Sequence, residues 1–248
     1  MTTLLTIDDL HRGYGALRAV DGVSLAIPTG GRHAVIGPNG AGKTTLLNLV
    51  AGLIRPDGGR IRLDGTDITR HGPGRRARLG IGRTHQQPAV WSSLSAADNV
   101  LVAGWRPLGG WRGAATRSRR AERLLGPVMD LLDRLGLAGS ARVVAGTLSH
   151  GQRRQLEIAM ALAGRPRLLL LDEPAAGLSP AEVDRLAGLL TALPRSVAVL
   201  MVEHQLDLVD ALADTVSVMR AGQTVVTGTP AQVKVSAVVR DEYRAGVS

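Results

Sequence analysis

The stretch Gly37-Pro38-Asn39-Gly40-Ala41-Gly42-Lys43-Thr44 decides how this chain is read. It matches G-x-x-x-x-G-K-[ST], a pattern that carries a mechanism. The glycines let the backbone curl until its N–H groups point inward at phosphate oxygens. Pro38, Asn39 and Ala41 fill the loop between them, and Thr45 follows on the helix side. Lys43 is placed to reach the β- and γ-phosphates of a nucleotide, and the Thr44 hydroxyl to ligate Mg²⁺. A structural glycine turn could share this composition, but the flanks argue against it. The apolar run HAVI precedes the loop and TTLLNLVAGL follows it, which is the required strand–loop–helix context.

Outward from the loop, short apolar runs alternate with helical patterns, as in an α/β protein. Strands are expected at Leu4–Leu10, Val23–Ile27, Arg32–Ile36, Arg60–Leu63, Arg167–Leu171, Val197–Val202 and Thr215–Met219. HAVIG, RLLLLDE and VAVLMVE are apolar on both faces, as buried parallel strands are. VMRAGQTVVTG reads as a hairpin turning at Ala221–Gly222. From Ser95 to Gly164 only helical spacing is found. Leu124, Val128, Leu131 and Leu135 share a face that Gly126-Pro127 should kink, and Gly104–Arg120 reads as a loop or insertion. The expected organisation is one unit, 1–248. It has an α/β core from 1–86 and 165–228, an inserted helical subdomain at 87–164, and a short helical tail at 229–248.

A nucleotide hydrolase also needs a metal partner and a group to direct water. The strand RLLLLDE ends in both. Asp172 is placed to bind the metal, and Glu173 to polarise an attacking water. A buried strand seldom ends in adjacent carboxylates without a cation to balance them. A second anion site is suggested by LSHGQRRQ. There Ser149 caps a helix start and Gln152 completes a capping box, leaving N–H groups free for a phosphate.

Composition bounds the rest. With 44% hydrophobic and 21% charged residues among 248, the chain can bury a sizeable core. No segment reaches the run of about 18 apolar residues that spans a membrane. The first residues lack the basic start and apolar core of a signal peptide, and the sequence has no cysteine, so a cytosolic location is expected. The formal charge of +9 invites a nucleic-acid reading. Lysine occurs only at Lys43 and Lys234, however. The arginines are scattered apart from Arg75–Arg78 and Arg117–Arg123, and 2% aromatics give no base-stacking platform. A basic face against anionic lipid or a membrane partner is the other use of such charge.

Taken together, these motifs resemble those of the ATP-binding cassette (ABC) ATPases from about Leu4 to Gly228. The fold this implies is an α/β P-loop cassette, a mixed sheet core with N-terminal antiparallel strands and an inserted α-helical subdomain. The resemblance gives roles to further residues. Tyr14 occupies the place of the aromatic that stacks on adenine. Gln86, in GRTHQQ, matches the glutamine that senses Mg²⁺ and water and links core to helical subdomain. LSHGQ corresponds to the signature LSGGQ, so Ser149, Gly151 and Gln152 would hold ATP. His204, in VEHQ, matches the switch histidine on the γ-phosphate, and Ala176–Ser179 the D-loop. A surface aromatic, a loop amide or a strand-end histidine would each be ordinary alone; their joint order is not. Two positions depart from the pattern. Ser179 stands where Asp is usual, and with Pro180 and Glu182 it reads as a helix cap. His150 stands in place of Gly and is expected to face solvent.

RRQLEIAMALAGRPRLLLLDEPAAGLSPAE, GRTHQQ and VVRDEYRAG resemble the ATPase subunits of importers for branched-chain amino acids and their urea or amide relatives. The resemblance implies ATP and Mg²⁺ as ligands and a peripheral place on the cytoplasmic face of the plasma membrane. Its partners would be a second ATPase subunit, a different paralogous chain or a second copy, and two transmembrane permease subunits. An extracytoplasmic solute-binding protein would act indirectly, and no nucleic acid is expected. ATP would lie between the P-loop of one subunit and the signature of the other. Rival classes are an exporter ATPase and a soluble ABC ATPase acting on ribosomes or DNA. The second has only the basic charge behind it, since the chain has neither a second cassette nor a long coiled coil. A binding module without hydrolysis conflicts with intact Lys43, Asp172, Glu173 and His204.

Overall fold

The computed structural model describes residues 2–105 and 125–236. Strands β3 (Arg32–Ile36), β7 (Leu168–Asp172) and β8 (Ala198–Val202) are buried along their whole length. Successive side chains point to opposite faces, so such strands need cover on both sides. They form the middle of a six-stranded sheet ordered β10-β9-β3-β8-β7-β6, with β6 at Ile81–Arg83, β9 at Thr215–Arg220 and β10 at Gln223–Gly228. All its pairings are parallel except the β9–β10 hairpin. That hairpin turns at Ala221 and Gly222, both with positive φ (48° and 82°), as a two-residue turn between twisted strands requires.

A separate four-stranded antiparallel sheet, ordered β2-β1-β4-β5, comprises β1 (Thr3–Tyr14), β2 (Leu17–Pro28), β4 (Gly58–Leu63) and β5 (Thr66–Asp67). Helix α1 (Lys43–Ala51) lies between the sheets. Its Leu46, Leu47 and Val50 share one core with Leu5 and Val23 on one side and Val35, Leu170 and Leu200 on the other. The alternate residues of the same strands, Ile36, Leu171 and Met201, pack into a second core with the later helices. The period of two therefore sandwiches the central sheet between two apolar layers.

Helix α2 (Pro73–Arg78) contains the arginine run, and Arg76 is buried. Its NH1 donates to the carbonyls of Leu49 (2.6 Å) and Val50 (2.7 Å), satisfying the end of α1 that no intrahelical partner can reach. Beyond β6 come α3 (Ala96–Trp105), α4 (125–134) and α5 (His150–Ala163). Between Ser95 and Gly164 the only strand-like pairing among the described residues is the isolated bridge Ser95–Val144. Helix α4 is unbroken from Pro127 onward, with Val128 and Leu132 facing the core and Leu135 joining them from the turn that follows. Leu124, Arg117–Arg123, most of the Gly104–Arg120 loop and VVRDEYRAG lie outside the described residues. Helices α6 (Pro180–Thr191), α7 (Leu206–Leu212) and α8 (Pro230–Lys234) complete the order. None of the described helices is long and apolar enough to cross a membrane.

The strands differ from the sequence expectation in several places: β1 and β2 extend at both ends beyond Leu4–Leu10 and Val23–Ile27. Strand β7 runs through Asp172 rather than stopping at Leu171, because Asp172 is registered against Val202. Strands β5 and β6, of two and three residues, have no counterpart in that expectation.

Candidate nucleotide site

Val202 is registered against Val35 on one side and Asp172 on the other. The carboxyl ends of β3, β8 and β7 thus lie side by side, where open α/β sheets collect their ligands. From these ends emerge the Gly37–Thr44 loop, His204 and the Asp172–Glu173 pair. Gly37 and Gly42 both have positive φ, 145° and 99°. A Cβ on Gly37 would lie 2.1 Å from the Met219 carbonyl oxygen, and one on Gly42 1.9 Å from that of Ala19. Gly42 opens α1 with no side-chain cap and no acidic residue in the first turn. The first N–H groups are therefore available to an anion, and the helix dipole favours one. Lys43 arches back over the loop, its Nζ donating to the carbonyls of Gly37 (2.6 Å) and Pro38 (2.9 Å). Pro38, Asn39 and Gly40 are exposed, Ala41 is buried, and Thr44 and Thr45 are half-buried.

The Thr44 hydroxyl lies 3.4 Å from Asp172 Oδ1. The other oxygen of Asp172 is 3.1 Å from the Arg83 guanidinium, which also donates to Asn48 Oδ1 at 2.6 Å. Asp172 is 1% exposed, so a cation balancing it is supplied by the protein itself. Arg83 thus shares in balancing the buried carboxylate. Burial pushes the Asp172 carboxyl above its ordinary range; Arg83 opposes this and Glu173 adds to it. Arg83 was missed because β6, which presents it, was missed.

Glu173 has φ of 45°, in the left-handed region that a non-glycine residue rarely adopts. Its N–H donates to the Val202 carbonyl (2.9 Å), and its Oε2 accepts from Gln86 Nε2 at 3.3 Å. Gln86 and Glu173, distant in sequence, are therefore brought together. His204 is not brought to them. Its ring lies 3.4 Å from Glu203 Oε2 and, among the described residues, makes no hydrogen bond to Glu173. Glu203 is fully buried and organises this turn, accepting from the N–H groups of Ala175 (2.9 Å), His204 (2.6 Å) and Gln205 (3.1 Å). Nothing in VEHQ marked its role, since a strand-end acid usually faces water. Tyr14, at the end of β1, is 47% exposed, and the Arg12 guanidinium sits 4.8 Å from its ring centroid. Asp57 fixes that pair by bonding Arg12 (2.8 Å) and the Gly13 N–H (2.7 Å).

The capping box at Ser149 is present. Gln152 N–H donates to Ser149 Oγ (3.2 Å), and Ser149 N–H donates to Gln152 Oε1 (3.0 Å). Ser149, Gly151 and Gln152 line a cleft of about 300 Å³ with Glu182 and Arg185 of α6, and none of the three is hydrogen-bonded to Gly37–Thr44 among the described residues. Gly151 lies so close to α6 that a Cβ there would be 2.3 Å from Glu182 Oε1. Ser179 caps α6 as its sequence suggests, donating to Glu182 Oε2 from both N–H (2.9 Å) and Oγ (2.8 Å). His150 faces solvent as expected, with one added contact. Its Nε2 is 3.2 Å from the Ala176 carbonyl oxygen, so it ties the signature loop to the D-loop.

A phosphate-cradling loop beside a paired carboxylate and amide defines a P-loop nucleotide hydrolase. Known proteins place it more closely. The family model "ABC transporter" matches residues 20–176. The high-affinity branched-chain amino acid transport ATP-binding protein BraF of Pseudomonas aeruginosa is 40% identical over 240 residues, 93% of each chain. The lipopolysaccharide export system ATP-binding protein LptB of Acidithiobacillus ferridurans is 36% identical over 98% of this chain and 97% of its own. A crystal structure of an ABC transporter ATP-binding cassette in its ADP conformation superposes with a TM-score of 0.85, at 28% identity over 98% of this chain and 99% of that one. The chain belongs to the ABC transporter ATPase family and is an ATP-hydrolysing transporter subunit.

Proposed function

We propose that this subunit energises import of a branched-chain or other hydrophobic amino acid. The observation that carries this reading is the 40% identity to BraF across 93% of both chains. A subunit of this kind works peripherally, on the cytoplasmic face of the plasma membrane, against two permease subunits, with a solute-binding protein delivering the amino acid from outside. A second ATPase chain, a paralogue or another copy, packs head to tail on this one. ATP held by Gly37–Thr45 and Tyr14 then meets Ser149, Gly151 and Gln152 of the partner. The separation of these two sets within one chain supports that arrangement.

Thr44, Asp172 and Gln86 offer only hydroxyl, carboxylate and amide oxygens, a donor set that suits Mg²⁺. Among the described residues no cluster of three or more His, Cys, Asp or Glu forms a closed metal cage. Such a site fits an ion that takes its remaining ligands from phosphate and water. When bound, magnesium supplies charge neutralisation on the phosphates. The protein does the rest. Lys43 and the loop N–H groups hold the phosphate oxygens, while Glu173 accepts a proton from the attacking water that Gln86 helps to orient. His204 contacts the γ-phosphate. The new P–O bond forms as the bond to the bridging oxygen breaks, and ADP leaves.

The test has two parts. Glu173→Gln should keep ATP binding, lose turnover and favour an ATP-dependent dimer in sedimentation; full hydrolysis in that variant removes Glu173 as the base. Cells lacking the chain should then lose uptake of labelled leucine, isoleucine or valine. The similarity to LptB favours a second reading, export, which intact uptake with impaired efflux would support.

A further inference from the structure

Arg154 and Glu157 lie about one turn apart on α5, with side chains 0% and 3% exposed. Their neighbours Leu156, Ile158 and Ala159 already anchor this helix in the apolar core. A buried ion pair adds little to such an anchor, because desolvating two charges offsets most of their attraction. What the pair touches is more telling. Arg154 NH1 donates to the His85 carbonyl (2.5 Å) and to Glu157 Oε2 (2.9 Å). Its NH2 donates to the carbonyls of Gln86 (2.7 Å) and Glu173 (3.2 Å). Glu157 Oε1 accepts from the N–H groups of His85 (2.7 Å) and Ala89 (3.3 Å) and lies 3.1 Å from His85 Nδ1. One guanidinium thus bridges the backbones of the two residues whose side chains meet at Gln86–Glu173, and the carboxylate orients both it and the loop carrying Gln86.

We propose that Arg154, oriented by Glu157, is a positioning residue that sets Gln86 against Glu173. It thereby makes α5, which begins at Ser149, a rigid extension of this chain's own hydrolytic pair. The proposal rests on the reading of Gln86 and Glu173 as that pair. Three features support it. Glu173 sits in a left-handed conformation that needs outside restraint, and Arg154 holds its carbonyl while β8 holds its N–H. Lysine would supply the charge but not the planar fork that reaches two segments at once. Ser149 lies only about 7 Å from Arg154 along the helix axis, within one rigid element. A shift of α5 when Ser149 engages a nucleotide on the partner would therefore move Gln86 and Glu173 here, linking one ATP site to the other.

Two variants test this: Arg154→Lys, and the paired apolar replacement Arg154→Met with Glu157→Leu. The paired variant leaves no uncompensated buried charge, although backbone groups of His85, Gln86, Ala89 and Glu173 lose their partners, so its unfolding midpoint should fall while a single cooperative transition remains. Its kcat should nevertheless fall at least tenfold, since misplacing reacting groups by about 1 Å can cost about 100-fold. Its KM for ATP should change less than about threefold, because Lys43 and the loop are untouched. Adding Gln86→Ala should cost little more, as residues acting through one unit are not additive. Arg154→Lys should show the same kcat loss. Full kcat in the paired variant, or an undiminished effect of Gln86→Ala within it, overturns the proposal and leaves a purely structural ion pair. Should both variants fail to fold, hydrogen exchange on the unaltered protein decides. The His85 and Ala89 amides must exchange as slowly as those of α5, and fast exchange there overturns the proposal. If Glu173→Gln hydrolyses ATP normally, the functional reading fails instead, independently of Arg154.

Discussion

Removing the Arg83 guanidinium tests the charge balance at the heart of the site. In Arg83→Met the buried Asp172 carboxylate loses its 3.1 Å partner and keeps only the Thr44 hydroxyl at 3.4 Å. Breaking a buried pair from one side typically costs about 3–5 kcal/mol, and the lower figure applies here because Asp172 lies at the end of its strand. For a chain of this size that corresponds to a fall of about 6–12 °C in the unfolding midpoint. The loss should also depend on pH in a definite direction. The Asp172 carboxyl already holds its proton above the ordinary 3.8, and without Arg83 it holds it higher still. The folded state then binds a proton that the unfolded chain has released, so stability is fullest on the acid side and drains away as pH rises through that window. Asp172→Asn in the Arg83→Met background removes the stranded charge and should recover most of the loss. The assay is thermal unfolding of the two single variants and the double variant, analysed as a cycle. The magnesium nucleotide should raise the Arg83→Met midpoint more than the wild-type one, because Asp172 is no longer shared. A midpoint within about 1 °C of wild type, or a double variant no more stable than Arg83→Met, would refute the assignment of Arg83 as the balancing cation.

Other expectations follow from the same geometry. His33 is 4% exposed, bonds Ser217 Oγ at 2.9 Å, and is held by burial at a pKa of about 4 against an ordinary 6.5. The unfolded chain therefore binds a proton the fold refuses, and stability should fall as pH drops from about 6.5 towards 4, by up to about 3 kcal/mol; His33→Gln should flatten that part of a stability–pH curve. His150→Gly removes the 3.2 Å contact to Ala176 at an exposed site, worth at most about 1 kcal/mol, so ATPase rates should stay within about threefold of wild type; a tenfold loss would mean that the imidazole acts on phosphate. Gly42→Ala meets both a φ of 99° and a carbonyl 1.9 Å away, whereas Gly40→Ala meets a φ of 80° with nothing within 4 Å. Nucleotide binding measured by titration should therefore be abolished by the first and only weakened by the second.

What could be read in the sequence was local. The P-loop glycines, the caps at Ser149 and Ser179, and the Ala221–Gly222 turn each depend on residues within a few positions of each other. The long buried strands announce themselves by uninterrupted apolar runs. Contacts between distant segments left no such mark. Strand β6 is three residues, Ile81-Gly82-Arg83, too short and too polar to show a period. Without it, Arg83 could not be placed beside Asp172 from the sequence. Arg154 and Glu157 carry no mark of their role either, since helical spacing places them together without saying that their face is buried. His150 reaches the D-loop, 26 residues on, and this too has no local signature.

The same lesson changes how the charge is understood. The formal +9 counts each arginine as though it faced water. Arg32, Arg76 and Arg154 are instead buried, at 3%, 1% and 0% exposure. Each spends its guanidinium on backbone carbonyls: Arg32 on Thr191 and Leu193, Arg76 on Leu49 and Val50 among others, and Arg154 on His85, Gln86 and Glu173. Arginine suits this work because its planar donors reach several carbonyls at once, where lysine offers a point charge. A chain with lysine only at positions 43 and 234 uses arginine as internal scaffolding as well as surface charge. Three of its guanidinium groups therefore cannot touch an anionic partner, and a basic composition here is weaker support for such a partner's contact surface than the arithmetic suggests.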